Sequence, residues 1–301
     1  ASARSASATH SGFLNLPADR ARPKHFAFLG GEVSMRIDEA LSSAIRVKAS
    51  ECDATVFTTL LAAWQTLMHR LTGQTEFSIG VPVSLRPAPD YSDVVGCFVD
   101  LKVLPCDIAP TWSFREFLAH SRANVLDMLQ RKRVPSALAR NEGAAPSGWP
   151  ATVQPNVRFA LLQATEIKDA APFLLNLEGG RVELSGLEFG SCALATGSAQ
   201  ADLSLALIEH EGVLHARFNY NREIFAQARI EQIAAMYVEL WRSIIADDTT
   251  PIRELALLDR RERQRLLEQS APALVDFGGA RWAHQLIERP DGQHGDALPG
   301  L

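Results

Sequence analysis

Apolar positions recur at helical spacing most clearly over residues 55–73. Val56, Phe57, Leu60, Leu61, Trp64, Leu67, Met68 and Leu71 lie three and four apart, which puts them on one stripe of a helix. Thr55 can cap its start and Gly73 can end it in a left-handed conformation. Phe77, Ile79, Val81 and Val83 follow in an apolar, β-branched run, so a strand is expected over 77–83. Pro82 donates no ladder hydrogen bond, which places this strand at an edge or bends it there. A further strand is expected over 96–104. Cys97, Val99, Leu101 and Val103 fall on one face and Phe98, Asp100, Lys102 and Leu104 on the other. Upstream, Val33, Met35 and Ile37 alternate with polar residues as a strand does, and Asp38 caps a helix that turns Leu41 and Ile45 inward.

Downstream, Ser113 and Glu116 form a capping box. It opens a helix with Phe114, Phe117, Leu118, Val125 and Leu129 at helical spacing. Residues 131–155 are broken by Pro135, Gly143, Pro146, Gly148, Pro150 and Pro155, a long loop of the kind that is functional or mobile. Strand patterns recur over 157–162 and, imperfectly, over 181–189. Residues 202–208 and 213–220 read as a hairpin turning through Glu209, His210, Glu211 and Gly212. On its first strand Leu203, Leu205 and Leu207 face one way, and Asp202, Ser204 and Ala206 the other. An amphipathic helix spans 228–246, a short charged helix 259–268, and a Gly- and Pro-bearing tail closes the chain. Interleaved helices and strands, then a hairpin and a closing helix, predict an α/β layer with a mixed sheet.

Composition narrows the function classes. The chain has 301 residues, 47% hydrophobic and 22% charged, with a formal net charge of −5. That suits a water-soluble core and gives no basic surface for nucleic acid. No apolar run reaches the length of a membrane span, and the Ala/Ser-rich start lacks a secretory core. Cys52, Cys97, Cys106 and Cys192 match no zinc or disulfide spacing, so a reducing, cytoplasmic setting is expected, with Cys97 and Cys106 as small buried apolar residues. The first methionine is Met35. That fits either removal of an initiator methionine or a piece of a longer protein.

Familiar catalytic patterns are missing. The histidines are His10, His25, His69, His120, His210, His215, His284 and His294, and none forms a metal-spaced pair. A surface or structural role is expected for each. There is no nucleophile elbow, P-loop or dinucleotide fingerprint. Gly179-Gly180 follows Glu178 and reads as a turn. No metal and no bound cofactor are expected.

Taken in order, Leu60-Leu61-Ala62-Ala63-Trp64, Arg70-Leu71-Thr72-Gly73-Gln74, Ile79-Gly80-Val81-Pro82-Val83 with Arg86, and Val95-Gly96-Cys97-Phe98-Val99-Asp100 resemble the C-terminal half of a nonribosomal peptide synthetase condensation domain. Leu14-Asn15-Leu16-Pro17 with Asp19, Arg20, Arg22 and Pro23 resembles the segment between that family's two lobes. His284-Gln285-Leu286-Ile287-Glu288 resembles the lead-in to an adenylation domain. The resemblance implies a chloramphenicol-acetyltransferase-like C-terminal lobe over 31–257, after a linker and extended lead-in at 1–30 and before a linker at 258–301. It implies amide formation between thioesters carried on phosphopantetheine arms, with a peptidyl or acyl carrier protein and an N-terminal lobe as partners. The family's HHxxxDG motif belongs to that N-terminal lobe. Here no two histidines are adjacent, and Asp291-Gly292 stands without them. The chain alone is therefore expected to lack the general base.

Three residues are candidates for the substrate channel or lobe interface. Arg86 matches the arginine that ends the family's strand exit, or is a solvent-exposed loop residue; Asp90, Asp93 and Asp100 are its candidate partners. Asp202 and Ser204 match a channel-lining strand, where Ser204 would bond a pantetheine arm or the reacting amide, or they form the solvent face of an alternating strand. Gln130 to Ser136 and 149–159 depart from the family pattern. The basic trio Arg131, Lys132 and Arg133 ends a helix or meets an acidic carrier. The second reading is a non-catalytic carrier- or lobe-docking module, and the third a free-standing acyltransferase.

Overall fold

A computed structural model of the chain describes residues 12–86, 94–130, 155–162, 171–174, 176, 178–194 and 197–270. The basic trio, Asp90 and Asp93 lie outside them. The chain divides into units at 1–258 and 259–301. The first holds β1 (Gly30–Arg36), α1 (Glu39–Glu51), α2 (Val56–Thr72), β2 (Glu76–Ser84), β3 (Val99–Asp107), α3 (Phe114–Gln130), β4 (Val157–Leu162), α4 (Ala171–Leu174), β5 (Arg181–Leu184), β6 (Leu187–Gly190), β7 (Leu203–His210), β8 (Val213–Asn221) and α5 (Gln227–Ala246). The second holds α6 (Arg260–Ser270), whose Glu262 amide donates to Asp259 Oδ1 at 2.7 Å.

Six strands form one sheet in the order β1-β8-β7-β4-β2-β3, with β4 parallel to both β7 and β2 and the other pairs antiparallel. The mixed sheet expected from the element order is thus present. Phe77, Ile79, Val81, Leu104, Cys106, Val157, Phe159, Leu203, Leu205, Leu207, Ala216 and Phe218 share one core with residues of α1, α2, α3 and α5. One sheet face is therefore sealed by helices. α2 is central because its stripe has almost no polar gap: every residue from Thr58 to His69 is buried. Thr55 accepts from the Thr58 amide at 3.1 Å, and Gly73 takes φ 72. The Ser113 hydroxyl accepts from the Glu116 amide at 3.2 Å while Glu116 accepts from the Ser113 amide at 2.8 Å, completing the capping box.

Several expectations need correction. β2 is not an edge strand, for β3 and β4 flank it. Its register with β4 holds only Gly80 opposite Arg158, so the two strands part before Pro82 and the missing donor interrupts no ladder on that side. β3 begins three residues later than expected, and its inward residues are Lys102, Leu104 and Cys106. Cys97 is exposed and not a core residue; Cys106 is buried. Residues 181–189 form not one strand but a separate hairpin, β5–β6, turning at Ser185 and Gly186 with φ 53 and 80. Those two positive φ values match a tight hairpin turn, as do Glu211 and Gly212 (φ 49 and 74) between β7 and β8.

The segment before β1 is extended and tied down. Leu14 is fully buried. Its amide donates to Asn156 Oδ1 at 3.0 Å, and Asn156 Nδ2 donates back to its carbonyl at 2.9 Å. Further along, Asp19 accepts from the Ala226 amide at 2.9 Å and pairs with Arg229 at 3.0 Å. The Ala226 amide is the main influence holding the Asp19 carboxyl below its usual range. This strap crosses from the start of β2 and β4 to the start of α5.

Candidate functional site: the open face of the sheet

The face of the sheet turned away from the helices is polar and half-exposed. Strand alternation and register place Gly80, Arg158, Ser204, Asn219 and Glu32 in one row across β2, β4, β7, β8 and β1. Arg158, Ser204, Asn219 and Glu32 are each partly exposed, between fully buried neighbours on β4, β7 and β8. At the far end of this face α4 covers part of it, with Ala171 packed against Ile208 and Leu162.

Arg158 stands near the middle of the row. Its Nη1 donates to Gln200 Oε1 and its Nη2 to the Gln200 carbonyl, both at 3.0 Å. Its Nε is buried with no partner. Burial lowers the Arg158 pKa from the ordinary arginine value, although a guanidinium remains charged at any physiological pH. No described carboxylate lies within ion-pair distance of it. Sequence reasoning passed over this residue. The signal was an arginine inside the otherwise apolar strand Val157-Arg158-Phe159-Ala160-Leu161-Leu162.

Ser204 lies beside Arg158 on the open face, where both of its expected readings place it. Asp202 does not point to solvent. It is 3% exposed, accepts from Asn156 Nδ2 at 2.7 Å and takes both Arg22 terminal nitrogens. Its carboxylate therefore ties the strap to the ends of β4 and β7. Arg22 also lies over the Phe13 ring, 4.9 Å from its centroid.

Arg86 is exposed in the loop after β2, donating to the Val94 carbonyl at 3.1 Å and stacking 4.3 Å from the Phe98 ring centroid. Asp100 is engaged by Lys102 at 2.8 Å. The structure does not bring the three candidates together. Arg86 lies in the loop beyond the end of β2 and Asp202 just before the start of β7, at opposite ends of these parallel-running strands.

Among the described histidines, His69, His210 and His215 make structural contacts, while the buried Nε2 of His120 has no partner. His69 is buried with Nδ1 2.8 Å from the Gln74 carbonyl. His210 and His215 stack 6.3 Å apart beside the β7–β8 turn. Burial, then His210 and Arg36, depress the His215 pKa below 6.5. The unfolded chain then binds the proton more readily, so stability falls as pH drops below about 6.5. Thermal unfolding from pH 7.5 to 5 should decline less steeply in His215→Gln than in the wild type. Equal slopes would show that His215 is not the group responsible. Among the described residues no cluster of three metal-ligating side chains occurs, and no helix is long and apolar enough to cross a membrane.

A mixed sheet with helices on one face and a polar face opposite is the chloramphenicol-acetyltransferase-like architecture. Residues 7–267 match the condensation domain family, and the chain belongs to that family, the condensation domains of nonribosomal peptide synthetases. Tyrocidine synthase 3 of Brevibacillus parabrevis is 30% identical over 251 residues, covering 83% of this chain and 4% of that protein. Phosphinothricin tripeptide synthetase PhsC of Streptomyces viridochromogenes is 29% identical over 283 residues, 94% of this chain and 25% of that protein. Among solved structures, holo-AB3403, a four-domain nonribosomal peptide synthetase bound to AMP and glycine, superposes with a TM-score of 0.73 at 20% identity over 84% of this chain and 19% of its own. The X-domain from teicoplanin biosynthesis gives a TM-score of 0.67 at 20% identity, over 81% of this chain and 53% of its own. The chain thus spans a small part of those synthetases and about half of the X-domain chain.

Proposed function

We propose that this chain is the C-terminal lobe of a condensation domain and helps form an amide between carrier-tethered acyl and aminoacyl thioesters. The observation that carries this reading is the half-exposed polar row of the sheet, opposite a sealed helical face, in a family member with no adjacent histidines. In the reaction, the amine nitrogen attacks the thioester carbonyl, the C–N bond forms, the C–S bond breaks and the thiol departs. A base must take the amine proton. This chain offers no HHxxxDG base, so an N-terminal lobe carrying that motif would supply it. Substrates would arrive on phosphopantetheine arms of carrier proteins. Ser204 would bond the arm or the reacting amide, Arg86 would contact the partner lobe, and Asp202 would hold the strap that joins the two lobes. Residues 259–301 would lead towards an adenylation-type domain.

The test is titration of the isotope-labelled chain with a lobe bearing HHxxxDG, followed by NMR. Shifts should concentrate on Glu32, Ser204, Asn219 and the Arg86 loop. Shifts confined to α1 and α5 would overturn this reading. The absent histidine pair also favours a non-catalytic docking module, which predicts the same binding but no turnover in the complex.

A further inference from the structure

Among the described residues Arg158 has no counter-ion within ion-pair distance, and the surface is shaped around it. Gly80 leaves room for its stem: a Cβ there would lie 3.2 Å from Arg158 Cγ and 3.3 Å from Leu101 Cδ1. Gln200 holds two guanidinium donors in place, one with its side chain and one with its carbonyl. A guanidinium has five N–H donors. Two go to Gln200, the Nε–H is buried unpartnered, and two remain. Withdrawing an arginine from water is costly unless an anion meets it. Glu32, the carboxylate in the same row, stands three strand spacings away, about 14 Å. Arg217, one row along, opposite Ala206 on β7, adds positive charge to this face. The face therefore has positive charge, hydrogen-bond donors and a neighbouring hydroxyl at Ser204, while the carboxylate one row away, Asp202, is taken up by Arg22 and Asn156, so no described acid meets Arg158.

We propose that Arg158, with Ser204 beside it, is an oxyanion-receiving site that selects carrier-tethered acyl or aminoacyl groups bearing a free carboxylate. Assigning the ligand to a tethered substrate rests on the condensation reading above; the site itself rests on the geometry alone. A guanidinium matches a carboxylate in both charge and spacing. The phosphate of a phosphopantetheine arm shares the oxyanion chemistry, and inorganic phosphate serves to distinguish it.

The experiment has two arms. In the first, the full 301-residue chain with 15N-labelled arginine is titrated with glutarate, its diamide and inorganic phosphate while the Arg158 Nε–H resonance is followed. Glutarate should give a saturable shift and the diamide none. Arg158→Gln should weaken glutarate binding at least tenfold, and Arg158→Lys less, with circular dichroism confirming that both variants fold. No saturable shift with glutarate, equal shifts with the diamide, or tighter binding of phosphate than glutarate each overturn the proposal. In the second arm, the synthetase containing this chain condenses a glutamyl thioester and a glutaminyl thioester. Arg158→Gln should lower the glutamyl-over-glutaminyl ratio of kcat/KM about tenfold, whereas an unchanged ratio overturns the selectivity. If neither thioester is condensed by the wild type, the condensation reading falls and substrate selection falls with it, while the glutarate titration still decides the oxyanion site.

Discussion

Replacing Trp64 with alanine should destabilise the protein by about 3–5 kcal/mol, the range for truncating a large buried aromatic side chain. Trp64 is fully buried on α2 and meets Phe218 of β8 and Tyr237 of α5 edge-on, with ring centroids 6.1 and 6.0 Å away. It therefore joins the central helix to both the sheet and the closing helix. Alanine would leave a void bounded by the sheet and by Tyr237, whose hydroxyl is fixed to the Leu60 carbonyl at 3.1 Å, so little collapse can offset the loss. Trp64→Phe keeps most of the contact and should cost about half as much. Chemical denaturation followed by circular dichroism checks both. A loss under about 1 kcal/mol for Trp64→Ala would mean that the core does not pivot on this residue.

Asp202→Ala should cost about 3 kcal/mol, because it removes one side of a buried hydrogen-bonded pair. The larger share comes from Asn156, whose buried amide would lose its acceptor while still tethering Leu14. Arg22 is 46% exposed and can return to water when Asp202 is removed, but Arg22→Ala leaves the Asp202 carboxylate, 3% exposed, without its counter-ion, so it should cost at least as much, about 3 kcal/mol. Released strap should also be cleaved faster by trypsin at Arg20 and Lys24 in Asp202→Ala. A loss under about 1 kcal/mol in both variants would show that the strap is held elsewhere, at Asp19 or Gln74.

The elements were legible wherever one residue set the answer locally. The unbroken stripe of α2, the Ser113–Glu116 box and the Asp38 cap each needed only neighbours in sequence. What failed to show in the sequence depends on partners far along the chain. Pro82 suggests an edge, but the parting of β2 from β4 beyond Gly80 is what accommodates it in the interior. Asp202 sits where alternation predicts solvent, and partners far away in sequence hold it instead, Arg22 of the strap 180 residues off and Asn156 before β4. Arg158 sits within an apolar run, and its exposure follows from which face the helices cover. The candidate site was therefore half visible: Ser204 fell on the expected face, whereas its charged neighbour was overlooked and Arg86 proved distant.

The most direct measurement is single-turnover peptide formation from two carrier-bound aminoacyl thioesters, with this chain alone and with a lobe bearing HHxxxDG. No product should form with the chain alone, and product should appear when both lobes are present. Product from the chain alone, or none from a complex shown to be assembled on loaded carriers, would contradict the assignment of this chain as the baseless half of a condensation domain.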